Sequence, residues 1–337
     1  MDMRDIARIA GVSSATVSRV INGSNSVNPA TAEKVRRVIE ETKFVPNGSA
    51  TTLKYGRSST YGLIIPDITN PFFPEFIRSF EAILAKNRQD MLMATTDHQS
   101  TNLQQTIQRM MIRQVDGIAL LASEIETEPI EALLHNRIPL VTMDRRVVGP
   151  GLSDISIHNG SGMNAALQYL HGLGHRRIAY IGGSPGLTIS DHRKRAFVKA
   201  VQSVGLPVEP AFLRSGNYRI RGGETAMTEI LDLETWPTAI LAANDLTAIG
   251  ALRVLHNRGL AVPKDFSIIG FDDIELTDII SPPLTSVRLS RQTLAETFVT
   301  ALASFAGERH GMGKEFSVKT SLVVKGSTGP ARKKTRS

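Results

Sequence analysis

From Tyr61 onward, short apolar runs alternate with amphipathic stretches along most of the chain. The first seven runs are YGLIIP, DMLMAT, DGIALLA, IPLVTM, RIAYIGG, TAILAAN and DFSIIGF, and PLTSVRL and FSVKTSLVVKG follow later. Continuous apolar strands separated by helices are typical of parallel sheets that carry helices on both faces. The alternation therefore predicts an α/β fold with two doubly wound, parallel-sheet halves.

The length and composition indicate a globular protein with more than one domain. At 337 residues the chain is long for one core and suits two or three domains. The absence of cysteine excludes disulfides, thiolate metal sites and thiol nucleophiles. No apolar run approaches the roughly 18 residues of a membrane span, and the charged start MDMRDIAR is unlike a secretion signal. We therefore expect a cytoplasmic protein with no membrane partner.

The net charge of +7 is concentrated at the two ends of the chain. Residues 1–60 hold nine basic and five acidic side chains, and the closing stretch ARKKTRS adds four basic ones. The long middle is close to neutral. A small basic domain on a neutral body predicts a polyanionic partner. On charge alone, a solvated basic surface explains the pattern equally well.

Three short helices are predicted in the first sixty residues. Their cap and stop residues are Asp2 with Asp5, Gly11, Ser13, Gly23, and Asn28 before Pro29. The first two helices are joined by a turn of Gly-Val-Ser, which is the arrangement of a helix-turn-helix. We therefore assign residues 1–45 to a helix-turn-helix domain.

The second of these helices has a face suited to DNA. Three apolar residues point inward: Val17, Val20 and Ile21. The outer face then carries Ser14, Ala15, Ser18, Arg19 and Asn22. Small residues permit close approach to the major groove, and the guanidinium of Arg19 can bind guanine O6 and N7. The hydroxyls suited to phosphate are those of Ser13, Thr16 and Ser18. The alternative is a surface helix with an incidental arginine, but the basic balance and N-terminal position favour DNA binding.

The stretches DIARIAGVSSATVSRVING and FVPNGSATTLKYGRSSTYGLIIPDITNPFF resemble the lactose-repressor (LacI/GalR) family of bacterial transcription regulators. The resemblance runs from Asp5 to about Gly326. It implies that Ser14, Ala15 and Arg19 read bases. It also implies a hinge helix within residues 46–59 that folds on DNA, with Leu53 wedged into the minor groove and Lys54 beside it.

The residues of this hinge independently indicate weak helix formation. Gly48 and the β-branched pair Thr51-Thr52 lower helix propensity, so the segment is not expected to be helical alone. The family usually has arginine after the hinge alanine, whereas Thr51 follows Ala50 here. The contact that such an arginine makes is therefore not expected in this chain.

The resemblance further implies a core like that of periplasmic sugar-binding proteins, with an effector in the cleft between two subdomains. The core is residues 60–326. Subdomain 1 is about 60–159 and 290–315, and subdomain 2 is about 160–289 and 316–326. Residues 327–337 are expected to form a basic disordered tail.

Ligands in such sheets bind at the carboxyl ends of the strands. The polar residues that follow predicted strands are Asn70, Asp97, Asp144, Arg145, Asn244 and Asp272, and Phe72 and Phe73 add flat apolar faces. The resemblance adds Arg193 and a second stacking face at Tyr218. For Asn70 and Asp245, turn or helix-cap duty is an alternative. The two arginines, Arg145 and Arg193, leave room for a sugar, a sugar phosphate or a sugar acid, and whether the effector acts as inducer or corepressor is left open.

These patterns together predict a repressor of carbohydrate genes that binds a palindromic operator as a homodimer. We expect no enzyme activity, cofactor or metal site: no Gly-x-Ser-x-Gly elbow is present, and glycines interrupt the helix around His171 and His175. No leucine heptad follows Lys325, so a tetramer is not expected. The alternative is a cytoplasmic sugar-binding or sugar-metabolising protein without DNA function.

Overall fold

The structure, a computed structural model, describes residues 1–21, 23–24, 26–45, 57–96, 100–121, 131 and 133–332. It divides into two compact units, residues 1–58 and residues 59–337. Asn22, Leu53, Lys54 and Asp97, which carry sequence-based predictions, lie outside the described residues. Within the described ranges no helix is long and apolar enough to cross a membrane.

The described residues of the first unit form three helices: α1 (Met3–Ala10), α2 (Ser14–Ile21) and α3 (Pro29–Thr42). Asp2 and Asp5 form the predicted reciprocal cap of α1, and Gly11 ends that helix in the left-handed region at φ 63°. The Asn28 side chain accepts a hydrogen bond from the Ala30 amide at the start of α3. The predicted helix-turn-helix is therefore confirmed.

A small apolar core joins these three helices. Its buried members come from every helix: Ile6, Ala7, Ala10, Val17, Val20, Ala32, Val35 and Val38. The inward stripe predicted for α2 is confirmed at Val17 and Val20, while Ile21 is partly buried against the same cluster. Burial of these side chains fixes which face of α2 remains in solvent.

The second unit contains two six-stranded sheets. The strands of sheet 1 are β1 (Thr60–Ile65), β2 (Asp90–Thr95), β3 (Ile118–Leu120), β4 (Leu140–Met143), β5 (Leu152–His158) and β11 (Glu315–Lys319). Their order is β11-β5-β4-β3-β1-β2, and all neighbours are parallel. Helices α4 (Phe72–Lys86), α5 (Ser100–Ile112) and α11 (Arg291–Ala303) belong with this sheet.

The strands of sheet 2 are β6 (Ile178–Gly182), β7 (Leu213–Ser215), β8 (Ala239–Ala242), β9 (Ser267–Asp272), β10 (Thr285–Arg288) and β12 (Ser321–Val323). Their order is β12-β10-β9-β8-β6-β7, parallel except for the antiparallel β12. The accompanying helices are α6 (Asn159–Gly172), α7 (Thr188–Ser203), α8 (Ile220–Leu231), α9 (Asp245–Asn257) and α10 (Leu276–Ile279). The predicted α/β class with two largely parallel sheets is confirmed.

The apolar run FSVKTSLVVKG forms two strands in different sheets. β11 pairs in parallel with β5, with Val318 opposite Ile157, whereas β12 pairs with β10. The sequence placed residues 316–319 in subdomain 2, but they belong to sheet 1. The chain crosses at Thr320, whose hydroxyl donates to the His158 carbonyl and accepts from the Gly162 amide. A Cβ at position 162 would lie 2.3 Å from Val287 Cγ1, so this crossing requires glycine.

The first part of the predicted disordered tail is packed against sheet 2. Ser327 is fully buried, and its hydroxyl donates to the Ile268 carbonyl and accepts from the Thr285 amide. The Arg332 guanidinium lies 5.1 Å from the centre of the Phe266 ring. The prediction of disorder is wrong for residues 327–332, because this segment begins with a buried serine that satisfies backbone groups of two strands. Residues 333–337 lie outside the described part.

Candidate functional site

The outer face of α2 exposes Ser14, Ala15 and Arg19. Ser13 caps the helix: its Oγ accepts from the Thr16 amide at 3.2 Å and lies 2.9 Å from Thr16 Oγ1. Ser18 is buried, so its predicted place on the outer face is wrong. It follows Val17 in sequence, at the edge of the apolar stripe of α2. The base-reading role of the exposed residues stays a prediction.

A cavity of about 490 Å³ lies between the two subdomains of the second unit. Segments at the carboxyl ends of strands from both sheets line it, as expected for doubly wound folds. Its apolar wall includes Leu121, Met143, Ile157, Leu187, Ile189 and Leu289. A volume of this size falls in the usual range of small-molecule sites.

Seven of the predicted effector residues line this cavity. They are Asn70, Phe72, Phe73, Asp144, Arg193, Tyr218 and Asp272. Phe72 and Phe73 form an edge-to-face pair with ring centres 5.4 Å apart. The side chain of Asn70 also accepts a hydrogen bond from the Phe72 amide at 3.1 Å. Asn70 therefore both stabilises the turn, which was the alternative role, and lines the cavity. Effector contact by these residues stays a prediction.

Two other predicted residues do not line the cavity. Asn244 caps α9, where its Oδ1 accepts from the Thr247 amide at 3.0 Å and its amide group donates to the Tyr218 carbonyl. It therefore positions a cavity residue instead of facing the cavity. Arg145 is half-buried beside Asp154, whose carboxylate accepts from the Arg145 amide at 3.2 Å. In the turn after β4, Asp144 lines the cavity and Arg145 lies outside its wall.

A buried ion pair joins Arg193 and Asp272 at 2.9 Å, and each side chain is only 6% exposed. The Arg193 guanidinium also donates to the Ala243 carbonyl and stacks 3.9 Å from the centre of the Phe271 ring. Burial alone would lower the pKa of Arg193, but the neighbouring Asp272 carboxylate outweighs this effect, so the pKa of the guanidinium lies above its ordinary value. The pair therefore depends on both partners to keep two charges inside the protein.

Tyr218 is held firmly against the wall. Its hydroxyl lies 3.0 Å from Ser190 Oγ. The ring occupies the space beside Gly183, where an added Cβ would lie 2.1 Å from Tyr218 Cζ. The glycine-rich turn GGSPG, which carries no lysine of a phosphate-binding loop, thus makes room for an aromatic side chain.

Three cavity residues other than glycine have left-handed backbone: Asp144 at φ 58°, Tyr218 at φ 61° and Asp272 at φ 102°. Such conformations cost of order 1–3 kcal/mol each and cluster at ligand sites. At Asp272 the backbone is secured by Arg291, whose guanidinium donates to the carbonyls of Asp272 and Asp273. The strain sets where these side chains point.

The described wall also contains buried polar atoms without hydrogen-bond partners. They are Asp144 Oδ2, Asn159 Oδ1 and Arg193 Nε. The other carboxylate oxygen of Asp144 accepts from the Ile157 amide at 2.7 Å. Burial raises the pKa of Asp144 to about 6. Buried polar atoms without partners in residues that line a cavity favour a polar ligand toward which these side chains can turn.

Sequence reasoning missed an ion pair that bridges the two subdomains at this cavity. Arg219, at the start of α8, lies 2.5 Å from the carboxylate of Asp67, which follows β1. Arg219 also donates to the Thr69 hydroxyl. Asp67 could have been found, because it directly follows a strand in the run DITNPFF. Arg219 had no such signal, since its position depends on the loop after β7.

The chain combines a helix-turn-helix, whose exposed face carries small residues and one arginine, with a two-subdomain α/β unit around a polar cavity. This combination defines a ligand-controlled DNA-binding regulator. Residues 2–47 match the family model for bacterial regulatory proteins of the lacI family, and residues 167–328 match that for a periplasmic binding protein-like domain. The chain is 32% identical to the HTH-type transcriptional repressor CytR of Escherichia coli (strain K12), over 97% of this chain and 96% of that protein. The chain belongs to the lacI family of bacterial regulatory proteins.

Further similarities agree with this assignment. The ribose operon repressor of Haemophilus influenzae is 33% identical over 89% of this chain and 90% of its own. The transcriptional regulator CelR–cellobiose complex has a TM-score of 0.73 and 28% identity, covering 97% of this chain and 99% of that one. The lac repressor dimer bound to operator has a TM-score of 0.85 at 23% identity, covering 98% and 99%, and supports the fold. The predicted family and regulatory class are confirmed. Because the curated relatives are transcriptional repressors, the alternative of a sugar-binding or sugar-metabolising protein without DNA function is set aside.

Proposed function

We propose that the protein represses carbohydrate genes by binding a palindromic operator, and that a small sugar-like effector in the cavity controls this binding. The observation that carries the proposal is the cavity wall, which combines the buried Arg193–Asp272 pair and Asp144 with the Phe72–Phe73 aromatic pair. Polar groups beside flat apolar faces suit a ring that carries hydroxyls. Relatives named for ribose and cellobiose support the same class.

The experiment that tests this proposal has two steps on the full chain. A thermal-shift screen of sugars identifies compounds that stabilise the protein, since an excess of bound ligand raises its stability. Operator affinity is then measured by fluorescence anisotropy with and without each stabilising compound. We expect at least one to change the affinity. Stabilising sugars that all leave operator affinity unchanged would contradict the proposal.

Arg19→Ala is expected to weaken operator binding by about 1–3 kcal/mol and to relax base preference at one symmetric pair of positions. The Arg19 side chain is exposed on the outer face of α2, and a guanidinium can bind guanine O6 and N7 with two hydrogen bonds. The salt dependence of binding should barely change, because a base contact releases few counterions. Binding-site selection with the variant measures the change of preference.

Arg36→Ala is the matched control for this experiment. Arg36 is an exposed arginine of α3, 3.4 Å from Glu33, and its loss should leave the selected sequence unchanged. An Arg19→Ala variant that selects the same operator as the unchanged protein would show that another surface reads the bases.

We further propose that the protein acts as a homodimer on the nucleoid, in the cytoplasm. Helix-turn-helix readers normally pair across a two-fold axis to reach two half-sites of a palindrome. Light scattering of the full chain at micromolar concentration should return twice the 36.7 kDa chain mass. A tetramer, or an asymmetric selected operator, would contradict this arrangement.

A further inference from the structure

The charged side chains of the cavity wall are almost all neutralised by one another. Arg193 is paired with Asp272 at 2.9 Å, and Arg219 with Asp67 at 2.5 Å. The first pair is buried, and in the second Asp67 is 10% exposed. Both guanidinium groups of the described wall therefore already carry a carboxylate partner. An anionic ligand that bonded to either arginine would share it with that carboxylate and would find its charge already balanced.

Asp144 is the remaining charged group of the wall. It is 3% exposed, and no ion pair joins it to a basic side chain among the residues that the structure describes. Arg291, which holds the backbone at Asp272, is engaged with Glu75 at 3.0 Å and with two backbone carbonyls. The described wall thus holds three carboxyl groups against two guanidinium groups.

The unsatisfied polar atoms have the same bias. Two of these buried atoms, Asp144 Oδ2 and Asn159 Oδ1, are acceptors, and only Arg193 Nε is a donor; a ligand meets them when the side chains turn toward the cavity. Hydroxyl groups donate to such acceptors. Phosphate and carboxylate groups at neutral pH are acceptors, and beside Asp144 they would face a like charge with little water between them.

We propose that the cavity takes an uncharged polyhydroxylated compound and rejects the phosphate and acid forms of the same compound. This inference rests on the proposed function in one respect, namely that a small molecule binds in the cavity. It selects one of the three effector classes that the sequence left open. The selectivity comes from Asp144 and from the carboxylate partners of the two arginines.

Matched pairs of probes test the selectivity directly. Calorimetry on the full chain at fixed ionic strength compares ribose with ribose 5-phosphate, and glucose with glucose 6-phosphate and gluconate. We expect every sugar that binds to do so at least about tenfold more tightly than its charged counterpart, because like-charge contact is penalised in a poorly solvated site. A phosphate or acid that binds as tightly as its parent sugar overturns the proposal.

A second measurement decides the question even if none of these sugars binds. Asp67→Asn/Asp144→Asn in one chain releases Arg219 and removes the unpaired carboxyl. At about 50 mM inorganic phosphate, against chloride of equal ionic strength, this variant should gain a few degrees more in melting temperature than the unchanged protein. The helix-turn-helix is identical in both, so phosphate bound there cancels.

The matched control is Asp90→Asn/Asp232→Asn, which changes the net charge equally at two exposed positions outside the cavity. It should gain nothing. A double cavity variant that gains no more than this control, or an unchanged protein that phosphate already stabilises equally, overturns the proposal. Operator binding is measured on the same samples: an operator released by an anionic compound refutes only the selectivity, whereas failure to bind any operator refutes the proposed function.

Discussion

Asp272→Asn is expected to lower the free energy of unfolding by about 3–5 kcal/mol, because it leaves the guanidinium of Arg193 buried without a countercharge. The Arg193 side chain is 6% exposed and cannot recover the lost partner by turning to water. Asparagine is chosen because it keeps the side-chain shape and tolerates the left-handed backbone at φ 102° better than alanine. Urea unfolding followed by the fluorescence of Trp236 measures the loss.

Two further variants isolate the buried charge as the cause. Arg193→Met combined with Asp272→Asn should recover part of the loss, since no charge is then left unpaired. Glu275→Gln breaks the exposed pair with Arg78, whose side chains are 73% and 65% exposed, and should cost less than about 1 kcal/mol. A loss for Asp272→Asn no larger than that for Glu275→Gln would mean that water reaches the Arg193–Asp272 pair.

The residues that sequence alone placed correctly on the cavity wall lie at the ends of strands. Asp144 and Asp272 each follow an apolar run that could only be a buried strand, and parallel strands bring their carboxyl ends to one edge. The pattern of buried strands therefore predicts which residues follow a strand and at which edge of the sheet they lie. The caps of α1 and α3 were predictable for a similar reason, because their hydrogen bonds join residues close in sequence.

The remaining features depend on contacts between distant segments. Arg219 meets Asp67 only because two loops from different subdomains approach each other. The side-chain amide of Asn244 is of a kind that can bind ligands, but here its oxygen caps the N-terminus of the helix that begins at the next residue. Ser327 has the composition of a flexible tail, yet its hydroxyl pairs with strand ends about 40 to 60 positions earlier in the chain. Local composition and periodicity contain no information on such pairings.

Asp144→Asn is expected to stabilise the protein in the absence of ligand. Burial raises the folded-state pKa of Asp144 from 3.8 to about 6. Because the pKa is raised, the folded protein favours the neutral carboxyl of Asp144. The contribution of this group to the free energy of unfolding is therefore complete below pH 4 and is lost as the pH rises through 6. Asparagine is neutral at every pH and keeps the acceptor for the Ile157 amide. We expect the free energy of unfolding of Asp144→Asn to exceed that of the unchanged protein by roughly 2–3 kcal/mol above pH 7. At pH 5 this difference should be about half as large.

Urea unfolding of the unchanged protein and of Asp144→Asn, at pH 8 and at pH 5, measures this difference. Comparing the two proteins at each pH cancels the titration of every other group. A difference that does not grow between pH 5 and pH 8 would mean that Asp144 titrates normally and lies in contact with water. The same variant should bind neutral sugars less tightly, because the amide that replaces Oδ2 cannot accept a hydrogen bond from a hydroxyl. A gain in stability coupled to a loss of binding is the result expected where a buried charge is retained for ligand recognition.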